Sequence, residues 1–77
     1  MIELTEIKRI GDIVTARAEG EGDKFRIEVN VKERTIITIS PIDKCEAMYY
    51  NKVARKLYKI ADEHGNNMPE HGIVAWY

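Results

Sequence analysis

Seventy-seven residues with 44% hydrophobic and 32% charged content have the balance of a folded globular chain, and the length leaves room for a single domain over 1–77. Twelve Lys and Arg against thirteen Asp and Glu give a net charge of −1, which excludes a chain that is basic all over and leaves polyanion binding to a local face. The single cysteine, Cys45, excludes an internal disulfide and fits a reducing compartment better than a secreted one.

The start, Met1-Ile2-Glu3-Leu4-Thr5-Glu6, carries no basic region leading into an apolar stretch. No apolar run approaches the roughly 20 residues of a membrane span. These features predict a cytoplasmic protein that does not engage a membrane. A core this small is marginal without a disulfide, a metal or a partner subunit, so self-association is an expectation on stability grounds alone.

Residues Ile2 to Ile10 read as a first strand closed by Gly11-Asp12, although Leu4 and Ile7 have opposite parity, as in an edge strand or a two-sided environment. From Asp12 to Gly20, Val14, Ala16 and Ala18 alternate with Ile13, Thr15, Arg17 and Glu19; from Lys24 to Val31, Phe25, Ile27, Val29 and Val31 do the same. Such period-two alternation marks half-buried antiparallel strands. Gly20-Glu21-Gly22-Asp23 between them supplies the glycines of a tight hairpin, and a turn at Glu21-Gly22 pairs Glu19 with Lys24 and Arg17 with Arg26. Thr35 to Ser40 reads as a third member of the meander. If Lys32-Glu33-Arg34 is the whole loop, Val29 faces Ile37 and Ile27 faces Ile39.

The period then changes. Ser40-Pro41-Ile42-Asp43 has the form of a helix start, with a serine cap, a proline in the first turn and an acid behind it. Ile42, Tyr49, Tyr50, Val53, Ala54, Leu57, Ile60 and Ala61 fall on one face of a helix of about five or six turns, with Met48 and Tyr58 on the polar side. Gly65 after His64 is the expected stop. A loop over 65–72 leads to Ile73-Val74-Ala75-Trp76-Tyr77, a short last strand that returns beside the first or packs as an extended arm. The expected fold is α+β: an antiparallel meander of about four strands, one long amphipathic helix and a short C-terminal strand, with sheet on helix in two layers.

No constellation for catalysis emerges. Cys45, His64 and His71 lack the close ligand spacing of structural zinc sites, so neither metal nor cofactor is expected. Cys45 in a first helical turn would lie roughly 28 Å from His64, five turns along the same helix, too far for a nucleophile and its base. The acids are scattered, and Gly20-Glu21-Gly22 leads into a strand, not a helix N-terminus that could cradle a phosphate.

Two surfaces remain. Lys52, Arg55, Lys56 and Lys59 share the outer helix face, with Lys44 on the same side. They form either an anion-facing ridge for nucleic acid or an acidic protein, or a solvated face whose cations suit the C-terminal half of the helix dipole. Interleaved aromatics are missing, and Asp62 and Glu63 dilute the charge, which favours the solvated face. On the sheet, Arg17 opposite Arg26 is unfavourable unless Glu28, diagonal to Arg17, or a ligand balances the pair. Ile7, Ile13 and Ile36 fall on the side away from the helix in this register and require a cover. Trp76 and Tyr77 are candidate interface anchors, although Trp76 could equally fill the core.

The expected function is therefore a non-catalytic protein-interaction or accessory domain. It would self-associate, or bind another protein, through Ile7, Ile13, Ile36, Trp76 and Tyr77. The alternative is a nucleic-acid-binding module using Lys52, Arg55, Lys56 and Lys59, with Arg17 and Arg26.

Overall fold

The structure, a computed structural model, describes residues 1–45 and 49–75, apart from the side chains of residues 44 and 45. Its elements are β1 (Ile2–Ile10), β2 (Ile13–Gly20), β3 (Asp23–Asn30), β4 (Thr35–Cys45), α1 (Tyr50–His64) and β5 (Gly72–Val74). The strands form one antiparallel sheet in the order β4-β3-β2-β1-β5, and α1 closes one face of it. This is the expected α+β sheet-on-helix arrangement. Ile2, Leu4, Val14, Phe25, Ile27, Val29, Val53 and Leu57 are its largest fully buried side chains.

The β2–β3 hairpin has the register read from its turn, with Glu19 opposite Lys24 and Arg17 opposite Arg26. Glu21 and Gly22 both take positive φ, at 52° and 83°, as a turn matched to strand twist requires. Gly20, at φ 147°, lies so close to the Met1 carbonyl that a β-carbon there would clash with it.

The broken parity of β1 has a structural cause. Its register to β2 shifts between Thr5 and Lys8, and Glu6 inside that interval takes φ 52°. One extra residue is accommodated as a bulge, which turns both Leu4 and Ile7 inward. Ile7 is therefore 4% exposed and part of the core, contrary to its expected place on the outer face. Beyond the bulge Arg9 also points to the helix side, donating from Nη1 to the Gly65 carbonyl at 3.1 Å. A cation on the last carbonyls of a helix complements its dipole.

A second bulge separates β3 from the expected pairing with β4. The turn spans Val31–Arg34, with the Asn30 Oδ1 accepting the N–H groups of Lys32 and Glu33 at 3.0 Å. Ile27 faces Ile39 as anticipated, but Val29 faces Ile36 instead of Ile37, because the register shifts between Glu28 and Val29. Ile36 thus packs against the core, not on the outer face, and Ile37 is the extra residue, 48% exposed.

The helix start expected at Ser40-Pro41 does not form. Both residues belong to β4, paired with Arg26 and Phe25, and Ile42 and Cys45 lie in the same strand. As an edge strand, β4 tolerates the missing N–H of Pro41, so sheet pairing outcompetes the local cap signal. Helix α1 begins at Tyr50 and runs 15 residues, about four turns. Tyr49 offers no side-chain cap; the buried Asp23 accepts its N–H instead. Phe25 meets Tyr50 edge to face, with ring centroids 4.8 Å apart.

Val53, Ala54, Leu57, Ile60 and Ala61 are buried, as their spacing predicts, and so is Tyr58, which was expected on the polar side. Arg34 covers it: the guanidinium carbon lies 5.5 Å from the Tyr58 ring centroid, and Nη2 bonds Asp62 at 2.5 Å. Gly65, at φ 60°, ends the helix and donates its N–H to the Ala61 carbonyl at 2.8 Å. The chain then returns to the first strand, with Ile2 opposite Val74, Glu3 opposite Ile73 and Leu4 opposite Gly72. Met48, Trp76 and Tyr77 lie outside the described residues. No described helix is long and apolar enough to cross a membrane.

Candidate functional site

The spacing of positions 52, 55, 56 and 59 places them along one flank of α1, while Val53, Leu57 and Ile60 anchor the helix to the sheet below. Since the core-facing residues dictate the rotation of α1, the cations are aimed at the end of the sheet that β5 occupies. Lys52, Arg55, Lys56 and Lys59 line one shallow depression of 310 Å³ with Val74 and Ala75. Lys52, Arg55 and Lys59 are exposed and Lys56 is half-buried.

Lys56 also borders a second depression of 490 Å³ with Glu3, His71, Gly72 and Ile73. The two depressions together follow β5 along its length. As the last strand in the sheet, β5 is paired to β1 on one side, and no described strand pairs with it on the other. Arg55, Lys56 and Lys59 enter none of the ion pairs among the described residues. The site is therefore a basic ridge over an open backbone edge. Such a site can attract negative charge and hydrogen-bond a main chain.

A third depression, 550 Å³ between α1 and the start of β4, is lined by Arg34, Asn51, Arg55 and Tyr58. Its Arg34 is already engaged by Asp62 and the Tyr58 ring, so less positive charge is on offer there.

The remaining candidate residues do not converge. Arg17 and Arg26 lie on the face of the sheet away from α1 and so do not join the ridge. The acid that partners Arg26 is Glu6, at 3.0 Å; the β1 bulge presents it there, a pairing that sequence parity gave no means of finding. Ile7 and Ile36 are on the core side, which leaves Ile13, half-buried, alone of the three on the outer face. The exposed large apolar side chains described are instead at the rim: Met1 before β1, Ile10 at its end, Ile37 and Ile42 on β4, and Ile73 on β5. Trp76 and Tyr77 are beyond the described residues. His64 and His71 are exposed, and no cluster of three or more His, Cys, Asp or Glu suited to a metal occurs among the described residues.

The free edge of β5 was missed in the sequence, where the only signal was that the last apolar segment could lie beside the first strand. No protein family matches the chain, and neither curated proteins nor solved structures match it.

Proposed function

We propose that this protein is a non-catalytic interaction module that holds an anionic partner in the groove between α1 and β5. The observation that carries the reading is the convergence of Lys52, Arg55, Lys56 and Lys59 on one depression. Structural needs alone do not call for it: like charges at helical spacings of three and four weaken a helix slightly. The groove replaces the isoleucine patch as the place of contact, because Ile7 and Ile36 belong to the core side.

The test is fluorescence anisotropy with two labelled probes, a poly-glutamate peptide and a single-stranded oligothymidylate, at low and moderate salt. At least one probe is expected to bind at low salt, to weaken as salt rises, and to lose about tenfold or more in the double variant Lys56→Glu/Lys59→Glu. Binding of neither probe at low salt, or equal binding by the double variant, would sink the proposal.

Self-association through β4 is a second reading, supported by the exposure of Ile37 and Ile42 on that open edge. Two register shifts and a proline interrupt the edge, and such features discourage strand-to-strand pairing. Light scattering coupled to size exclusion decides it: a mass near the monomer's 8.9 kDa removes this reading.

A further inference from the structure

Resting on the reading of this groove as an anion site, we infer that its occupant is an acidic peptide segment in extended conformation, added to the open edge of β5 as another strand of the sheet. Two features of the groove have to be satisfied together. The helix flank supplies cations, and the floor supplies backbone. Along Gly72–Val74, alternate N–H and C=O groups face away from β1, since pairing with Ile2–Leu4 uses only one side of the strand. A peptide matches such an edge because its own donors and acceptors repeat at the same interval.

The two sides of the added strand would meet different surroundings. Val74 is buried on the helix side of the sheet, whereas Ile73 is 52% exposed on the other. Side chains of an incoming strand alternate in the same way. Those on the helix side pass beneath Lys56 and Lys59, which enter no ion pair among the described residues, and suit Glu or Asp. Those on the far side pass Ile73 and suit Val or Ile. The fitting partner therefore alternates acid with β-branched residues.

Two other occupants fit less well. A second copy of this chain, paired β5 to β5, would bring two lysine ridges side by side in mutual repulsion. A single-stranded nucleic acid would answer the cations but not the backbone edge, and for base stacking the described lining residues offer no Phe, Tyr or Trp, only the His71 imidazole.

The experiment uses the full chain, isotopically labelled for NMR, with three probes: a short peptide alternating Glu and Val, the same peptide N-methylated at alternate backbone nitrogens, and a short oligothymidylate. The expected result is that the unmodified peptide binds most tightly and slows amide exchange within Gly72–Ala75. The N-methylated peptide keeps its charge but loses donors, and should bind about tenfold or more weakly. Equal binding by the N-methylated peptide, or unchanged exchange at Gly72–Ala75, overturns strand addition while leaving the anionic groove intact. Tighter binding of the oligothymidylate overturns the peptide assignment in favour of nucleic acid, again without harming the groove. If no probe binds at low salt, both readings fall.

Discussion

The carboxylate of Asp23 accepts the backbone N–H of Tyr49 at 3.0 Å, from a side chain only 2% exposed. Asp23 opens β3 and Tyr49 precedes α1, so the bond ties the hairpin end of the sheet to the start of the helix. An acid at this point also faces the positive end of the helix dipole. It does across the fold what a capping residue does locally.

Replacing that carboxylate should therefore be costly. Asp23→Ala leaves the Tyr49 N–H without its acceptor and is expected to lose about 1–3 kcal/mol. Asp23→Asn keeps an acceptor oxygen and should lose less. Urea denaturation measures both, and a loss within about 0.5 kcal/mol for the alanine variant would show that the cap is dispensable.

The bulge at Glu6 makes a prediction that separates two isoleucines of similar sequence context. Ile7→Ala empties a core position and should cost about 2–5 kcal/mol. Ile13→Ala, at a half-buried position on the open face, should cost about 1 kcal/mol or less. Equal losses, read from chemical denaturation, would contradict the inward turn of Ile7.

Tyr58 predicts how the protein responds to alkali. Burial raises its phenol above the ordinary 10.0, with the Arg34 cation pulling weakly the other way. Above the ordinary value, the unfolded chain has released the proton while the folded chain still holds it, so stability falls as pH rises. The contribution is complete below 10.0 and is lost as pH climbs from there through the raised value. Melting temperatures of the wild type and of Tyr58→Phe, followed across that range, should show a shallower alkaline decline in the variant. Parallel declines would assign the effect to other groups.

Gly20 and Gly65 differ in what surrounds them. Gly65 has φ 60° with open space about its Cα, so Gly65→Ala carries only the backbone cost, about 1 kcal/mol. Gly20→Ala meets the Met1 carbonyl as well and should destabilise more. Thermal unfolding ranks them; the reverse order would mean that the Met1 end yields freely.

What the sequence alone determined is what near neighbours along the chain decide. The β2–β3 register follows from a two-residue turn, the buried positions Val53, Leu57 and Ile60 follow from helical spacing, and the stop at Gly65 follows from a residue that tolerates positive φ. Tertiary structure decided the rest, because distant partners outweighed local preference. Ser40-Pro41 carries a good helix-start signal, yet pairing with Phe25 and Arg26 draws it into β4. Tyr58 falls on the polar side of the wheel, yet Arg34, itself bonded to Asp62, covers its ring. The bulges at Glu6 and Ile37 invert parity without any glycine or proline to announce them. The groove belongs to this second class: its four cations were legible as a helix face, but only the return of β5 beside β1 places an open backbone edge beneath them.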